Sequence, residues 1–247
     1  MNINIVESSL NLRIERGKTK DDYTLHKDIA KKQLSFYGTD IFTNVEFMDC
    51  NNKDYLKTFE DAGYKSYMSL DTKGRGILCE IKDDCEAEII GEMSDPHMLH
   101  LHIKKNHGFI DLITVRLLVA GGNDADFKDR KRQWNRILNY IENLSDKSHL
   151  ILIGDFNHGV ISSHINGYRF KPRQYFNYQM VVSDLKKRNI TLFPMEGASY
   201  RGYMKIDHIA TGEKITVNTA VYKDVFKDAV EIGTPDHSFI VASIKCA

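Results

Sequence analysis

The sequence predicts an α+β fold with two packed, mostly antiparallel β-sheets. Short β-branched or alternating stretches, separated by turn residues, fill residues 64–118 and are typical of antiparallel hairpins. A long amphipathic helix is predicted over residues 125–144. Strands and helices elsewhere do not follow a regular βαβ alternation, which argues against a single parallel sheet.

The first half of the chain predicts a strand, a helix and a second strand before the hairpins. Residues 3–5 predict the first strand. Residues 22–37 predict a helix because their apolar side chains recur at helical spacing, and Gly38 is a suitable stop. Further strands are predicted at residues 41–47, 64–70, 76–81, 86–91, 98–103 and 109–118.

The second half continues with the helix over residues 125–144, whose apolar stripe lies on an otherwise charged surface. We therefore expect this helix to cover the face of a sheet. Residues 149–153 form a continuous apolar strand, a pattern that indicates burial on both sides. The remaining predictions are a helix near residues 176–187 and strands near residues 190–193, 205–210 and 239–244.

Composition excludes several classes of protein. We expect one domain over residues 1–247, because the sequence has no low-complexity segment or linker. The 34 Lys plus Arg balance the 34 Asp plus Glu, which excludes a polycation that binds nucleic acid over its whole surface. Four cysteines without a CxxC motif predict a reducing, cytoplasmic environment. Neither a signal peptide nor membrane association is expected, and the oligomeric state is left open.

Three segments join a strand to a carboxylate that has an amide or imidazole one or two positions away. They are GDFN at residues 154–157, IDHI at 206–209 and PDH at 235–237, and Glu46 closes an earlier predicted strand. Carboxylate oxygens suit Mg²⁺ or Mn²⁺, which accept one or two carboxylates together with waters and substrate phosphate. The sequence therefore predicts a divalent-metal site for phosphoryl chemistry.

In this order, the motifs resemble those of the endonuclease/exonuclease/phosphatase superfamily, which includes deoxyribonuclease I-like and exonuclease III/apurinic endonuclease-like enzymes. The resemblance covers nearly the whole chain: a first strand with an asparagine, a second ending in glutamate, a central GD-F/L-N motif, a late aspartate in an aliphatic strand, and a final Asp-His pair. Each motif alone is weak evidence, but four in sequence are specific. The resemblance implies a deoxyribonuclease I-like, four-layer α/β/β/α sandwich.

The resemblance also implies roles for the carboxylates and amides of these motifs. Glu46 would bind the metal, and Asp236 would lie near it. Asp155 would orient the nucleophile or handle the leaving-group proton, and Asn157 would donate its amide to the phosphate. In the family a glutamine usually precedes the metal-binding glutamate, where this chain has Val45.

The predicted catalytic histidine is His237, with Asp207 as the carboxylate that fixes its tautomer and orientation. His237 would activate water or contact the phosphorane-like transition state. Pro235 stands where the family commonly has a serine, which removes a hydroxyl and a backbone donor.

Three further residues are predicted at the substrate. Asn11 is the candidate for the first-strand asparagine, as a metal and substrate ligand, although Glu7 or Ser8 would fit a shorter strand. Arg116 follows a predicted strand and could bind phosphate or form an ordinary salt bridge. Arg173 lies in a stretch, residues 168–176, that interleaves basic and aromatic side chains. Such a stretch suits nucleic acid, but its aromatic residues could equally complete the core.

The resemblance implies a Mg²⁺- or Mn²⁺-dependent phosphodiesterase that hydrolyses P–O bonds by in-line attack of water, with DNA or RNA as the expected substrate. The alternative is a phosphatase or phosphodiesterase of a small phosphorylated molecule, such as a nucleotide, cyclic nucleotide or inositol phosphate. A third alternative is a catalytically silent domain that binds such a ligand.

Overall fold

A computed structural model describes residues 1–159, 175–226 and 229–247. These described residues include four α-helices, which in chain order are α1 (Lys27–Leu34), α2 (Lys53–Asp61), α3 (Asp124–Glu142) and α4 (Tyr178–Lys186). The strands are β1 (Asn2–Ser9), β2 (Ile41–Met48), β3 (Tyr64–Leu70), β4 (Arg75–Lys82), β5 (Glu86–Ser94), β6 (His97–Lys105), β7 (Gly108–Arg116), β8 (Leu150–Asp155), β9 (Thr191–Leu192), β10 (Asp207–Thr211), β11 (Ile215–Lys223) and β12 (Phe239–Cys246).

The strands form two sheets of six. The first has the order β11-β12-β1-β2-β4-β3 and the second the order β5-β6-β7-β8-β10-β9. The central pairs, β1 with β2 and β7 with β8, are parallel, whereas the other neighbours are antiparallel. The carboxyl ends of each parallel pair therefore lie at one edge of the sheet. Because β12 runs antiparallel to β1, and β10 to β8, the starts of β12 and β10 lie at those same edges.

The two sheets pack face to face, and helices cover both outer faces. Ile5 of β1 and Ile153 of β8 belong to the apolar layer between the sheets. Leu152 points the other way and packs in the layer under α3 with Trp134. On the opposite side, the ring of Phe59 in α2 packs edge-on against Phe42 of β2, with centroids 5.2 Å apart. The predicted four-layer α/β/β/α sandwich is confirmed.

Helix α3 and strand β8 match the sequence patterns closely. The side chain of Asn123 accepts a hydrogen bond from the backbone of Asp126 and caps the first turn of α3. All six residues of β8 are buried, as its continuous apolar pattern predicts.

The helix predicted over residues 22–37 is wrong in its first part. The backbone of Thr19 donates to the carboxylate of Asp22 over 2.7 Å and closes a 3₁₀ turn, Lys20–Asp22. Leu25 then bonds through its backbone to Asn51 at 3.0 Å, so the chain is extended before α1 begins. Helix α2 and strand β11 lie in segments where no element was predicted. None of the helices in the described residues is long and apolar enough to cross a membrane.

Candidate active site

The carboxyl ends of the parallel strands lie at one edge of the sandwich and bring the predicted motifs together. Asp207 opens β10 and pairs in register with Asp155, the last residue of β8. Arg116, the last residue of β7, is also in register with Asp155. On the facing sheet, Glu46 lies near the end of β2, and His237 lies two residues before the start of β12.

Gly154 is required where β8 reaches the site. Its φ is +128°, and a Cβ there would lie 2.2 Å from the carbonyl oxygen of Val115 on β7. Any side chain would therefore push β8 away from β7. The next residue, Asp155, is fixed by Asn157, whose backbone donates to Oδ1 over 3.0 Å and whose side-chain amide donates to Oδ2.

Asn157 adopts a left-handed backbone conformation with φ +42°, which asparagine tolerates better than most residues. Its Nδ2 also donates to the carbonyl oxygen of Leu117 over 2.9 Å. Both amide hydrogens are thus directed at protein oxygens, and Asn157 positions Asp155. Its contact with phosphate stays a prediction.

His237 and Asp207 form a buried pair. The Nδ1 atom of His237 lies 2.8 Å and 3.1 Å from the two carboxylate oxygens of Asp207. Nδ1 therefore donates to Asp207, and Nε2 is the atom left for chemistry. The ring of Tyr200 packs against the His237 ring in a tilted arrangement, with centroids 4.6 Å apart.

The charges around this pair set its protonation. Burial alone would lower the pKa of His237, but the charge and hydrogen bond of Asp207, with the charges of Asp155 and Asp236, raise it to about 10. Burial, followed by repulsion from Asp207, raises the pKa of Asp155 to about 7. At neutral pH His237 is therefore an imidazolium, and Asp155 can take up or release a proton.

Glu46 sits at an irregularity in β2 and has a positive φ of +53°. One carboxylate oxygen accepts from Arg116, and the other accepts from the hydroxyl of Ser9 over 3.0 Å. Burial opposes ionisation, yet the charge of Arg116, with smaller effects from His237 and Ser9, keeps the pKa of Glu46 below its ordinary value. Arg116 thus contacts a carboxylate of the site itself.

Asp236 and Asn11 lie on the same side of the site. Oδ1 of Asp236 is buried and has no hydrogen-bond partner among the described residues, and it lies 3.9 Å from Nε2 of His237. The amide of Asn11 donates to the carbonyl oxygens of Glu231 and Thr234 and so holds the loop that leads to Asp236. The predicted roles of Asn11 with metal and substrate stay predictions, and Arg173 lies outside the described residues.

Glu7 of β1 is a site residue that the motifs did not identify, although it was one alternative to Asn11. It is 1% exposed, and neither carboxylate oxygen has a hydrogen-bond partner among the described residues. Burial, then the charges of Asp207 and Asp155, raise its pKa well above the ordinary value. A glutamate within a buried strand is itself a signal, because such groups are costly unless they are partnered.

Two hydroxyl groups form hydrogen bonds with the backbone at the start of β10. The sequence motifs did not predict them. The Oγ atom of Ser199 accepts from the backbone nitrogens of Ile206 and Asp207 over 2.9 Å and 3.2 Å. The hydroxyl of Tyr222 donates to the carbonyl oxygen of Asp207 over 2.6 Å. These contacts hold the Asp207 backbone where its side chain meets His237.

The donor set fits a divalent cation. A carboxylate oxygen of Asp155 and one of Asp207 lie within 4.8 Å of each other and of a ring nitrogen of His237. Because His237 is an imidazolium, only the two carboxylates can bind a metal. The unpartnered oxygens of Glu7 and Asp236 add acceptors that no described protein group satisfies. Carboxylates outnumber the cations Arg116 and His237 here, so a bound Mg²⁺ or Mn²⁺ would compensate the excess negative charge.

No protein-family model and no curated protein matches this sequence. Several solved structures share its fold over nearly their full length. The endonuclease domain of TRAS1, a telomere-specific non-LTR retrotransposon, is 13% identical with a TM-score of 0.65, and the alignment covers 100% of this chain and 99% of that one. D. rerio TDP2, complexed with a single-strand DNA product, is 15% identical with a TM-score of 0.63, covering 99% of both chains.

ANGEL2, a 2′,3′-cyclic phosphatase in complex with adenosine-2′,3′-vanadate, is 12% identical with a TM-score of 0.63 and covers 99% of this chain and 96% of that one. A protein of Bacteroides thetaiotaomicron described as endonuclease/exonuclease/phosphatase family is 14% identical with a TM-score of 0.58, covering 99% and 97%. The fold implied by the sequence resemblance is therefore confirmed.

Proposed function

We propose that this protein is a divalent-metal-dependent phosphodiesterase, with DNA or RNA as its substrate. The observation that carries the proposal is the buried Asp207–His237 pair beside Asp155, at an edge where five carboxylates and Arg116 converge. The neighbours in fold include a protein named as an endonuclease domain and one solved with a single-strand DNA product, which supports this substrate class.

Each residue of the site has a separate role in the proposed hydrolysis. Asp155, with its pKa near 7, is suited to accept a proton from the attacking water. The imidazolium of His237, held through Nδ1 by Asp207, presents the Nε2 proton to phosphate oxygen as negative charge develops there. When bound at this centre, the metal would polarise the phosphoryl group. Glu46, Asp236 and Glu7 supply the oxygen ligands that would hold it.

Hydrolysis of a small phosphorylated molecule is the second candidate. The cleft lined by Asp236, Ser238 and Tyr200 favours it, because a volume of about 690 Å³ suits a compact ligand. A neighbour in fold described as a 2′,3′-cyclic phosphatase supports the same chemistry on a small ester.

A metal-dependent activity panel tests the proposal. Its substrates are plasmid DNA, single-stranded RNA, bis(4-nitrophenyl) phosphate and 4-nitrophenyl phosphate, each with Mg²⁺, with Mn²⁺ and with chelator. We expect hydrolysis of a nucleic acid and of the diester, and no hydrolysis in chelator. Hydrolysis of the monoester alone would overturn the nuclease assignment. No hydrolysis of any substrate would favour the silent binding domain.

A further inference from the structure

A cleft of about 690 Å³ opens beside the candidate active site. Asp236 and Ser238, the two neighbours of His237 in the chain, line it, and so does Tyr200, whose ring packs against His237. His237 itself is not part of the wall, but it contacts two wall residues, Tyr200 and Asp236, and so lies next to the cleft. The volume lies in the range of ordinary small-molecule sites.

Aromatic side chains form part of the wall. Tyr200, Tyr222 and Phe226 all line the cleft, and each is only partly exposed. Phe226 is backed by Phe239, with ring centroids 6.0 Å apart. Partly buried rings of this kind offer fixed flat surfaces on which a planar base can stack.

Two arginines line the same cleft. One guanidinium nitrogen of Arg13 donates to Oδ1 of Asn11 over 2.8 Å, and the guanidinium of Arg201 lies 4.9 Å from the centre of the Tyr200 ring. In the described part of the chain neither arginine forms an ion pair with a carboxylate. The charge of Arg13 also favours ionisation of Asp236, and Arg201 donates a hydrogen bond to the hydroxyl of Tyr200. A guanidinium has five N–H donors, so both arginines keep donors for an anion.

The remaining charges limit how much anion the cleft can hold. Glu196 and Asp224 line it together with Asp236, so three carboxylates face the two arginines. A strand laid through the cleft would bring successive phosphates against these carboxylates, whereas polymer grooves are continuously positive. One phosphate at the arginines and one uncharged ring system fit this pattern, and the carboxylates can accept hydrogen bonds from amino or hydroxyl groups.

We propose that the cleft binds a single nucleotide unit of the substrate, with its base among the aromatic rings and its phosphate at Arg13 and Arg201. This inference rests on the proposed phosphodiesterase function and specifies the substrate of that site. An inositol phosphate would leave the aromatic surfaces unused, since it has several phosphates and no planar ring. The nucleotide unit is either a free nucleotide or the end of a strand, since both have the same chemistry.

The test compares two chromogenic diesters, the 4-nitrophenyl ester of thymidine 5′-monophosphate and bis(4-nitrophenyl) phosphate, which lacks a nucleoside. The variants are Arg201→Gln and Phe226→Leu, and the matched control is Arg136→Gln, which removes the same charge from the surface of α3. In each cleft variant we expect the ratio of kcat/KM for the nucleotide ester over the base-free ester to fall about tenfold. The control keeps the wild-type ratio.

A ratio that stays unchanged in both cleft variants would overturn the proposal. Calorimetric titration of the intact protein with thymidine monophosphate tests the cleft without any turnover. Weaker binding in Arg201→Gln than in the wild type would support the cleft even if neither ester is hydrolysed. Absence of hydrolysis would then contradict only the proposed phosphodiesterase function. Competition then separates the sources. Inhibition by linear but not circular single-stranded DNA assigns a strand end, and inhibition by the mononucleotide alone assigns a free nucleotide. If circular DNA inhibits as strongly as linear DNA and the mononucleotide does not inhibit, the proposal that the cleft binds a single nucleotide unit is wrong.

Discussion

The guanidinium of Arg116, at the end of β7, contacts the carboxylate of Glu46 at the irregularity in β2 on the facing sheet. An internal cation thus occupies the carboxylate that the motifs assign to the metal. A metal bound at Glu46, as proposed, would compete with Arg116 for this carboxylate, and the displaced guanidinium would be free to contact phosphate.

Arg116→Met should therefore tighten metal binding while slowing turnover. Loss of one positive charge near the site strengthens Mn²⁺ binding by about 1 kcal/mol, which is about fivefold in the dissociation constant. Calorimetric titration with Mn²⁺ measures this change, with Arg136→Met as a control for charge loss elsewhere. Weaker Mn²⁺ binding in Arg116→Met would refute the competition.

His237→Gln and Asp155→Asn should each lower kcat by at least about 100-fold, because each removes a proton-transfer or charge-stabilising group that acts in the transition state. Asp155→Asn keeps the shape of the side chain and should shift thermal unfolding by only a few degrees. His237→Gln removes the cation that pairs with buried Asp207 and should lower the unfolding temperature further. Steady-state hydrolysis of bis(4-nitrophenyl) phosphate measures kcat, and the exposed His107→Gln serves as the control. Full activity in both site variants would remove these residues from the mechanism.

Glu7→Gln should stabilise the metal-free protein. The buried carboxylate of Glu7 is repelled by Asp207 and Asp155, and it gains no hydrogen bond in return from the described residues. A neutral amide of the same shape removes this repulsion and raises the free energy of unfolding by about 1–2 kcal/mol at pH 8. Urea unfolding in the presence of chelator measures it against the exposed Glu88→Gln. The same variant should bind Mn²⁺ more weakly, because it lacks one carboxylate. If Glu7→Gln is less stable than the wild type and binds Mn²⁺ equally well, Glu7 is not a metal ligand.

Glu80 predicts how stability depends on pH. Burial raises the pKa of this carboxyl to about 8, despite a hydrogen bond from Ser66. Between the ordinary value of 4.5 and about 8, the native state holds a proton that the unfolded state has lost, so the contribution of Glu80 to stability falls as pH rises through this window. The slope is at most about 1.4 kcal/mol per pH unit.

Urea unfolding of the wild type and Glu80→Gln at several values between pH 5 and pH 9 measures this dependence. The variant should lose most of the slope, whereas the exposed Glu86→Gln should keep it. Parallel pH profiles for all three proteins would show that Glu80 is ionised in the native state.

Gly154→Ala should destabilise the fold by roughly 2–4 kcal/mol, because the added Cβ collides with the Val115 carbonyl and the backbone conformation disfavours a side chain. Thermal unfolding measures the loss, and Gly17→Ala is the control because open space surrounds that glycine, which also has a positive φ. An effect no larger than that of the control would mean that β8 and β7 can separate at no cost.

The strongest sequence patterns predicted the parts of the fold that depend on local periodicity. The long stripe of α3 and the apolar run of β8 correspond to buried faces almost residue for residue. Helix α2 escaped prediction because only Tyr55 and Phe59 are fully buried among its charged residues. Strand β11 escaped it because the strand lies at the edge of its sheet and exposes much of its length, which weakens the alternation.

Asp155, Asp207 and His237, which the motifs assign to one site, lie near one another because all three are at strand ends on one edge of the sandwich. They could not give the partners of Arg116 or of Asn11, because those depend on how the two sheets and the loop before β12 meet. Glu7 has the same limitation: its sequence neighbours indicate burial, but the carboxylates that repel it are more than 140 residues away in the chain.

The site is formed by residues of both sheets, with Asp207 on the second sheet and His237 just before strand β12 of the first. Each sheet keeps its own hydrogen-bond ladder, and interior side chains set how one slides over the other. The Asp207–His237 distance therefore depends on how the two sheets are aligned. A shift of about 1 Å of one sheet over the other would break the Asp207–His237 hydrogen bond, while the backbone hydrogen bonds within each sheet stayed intact. Interior residues far from the chemistry, such as Leu101 or Ile244, can thus tune activity through alignment alone.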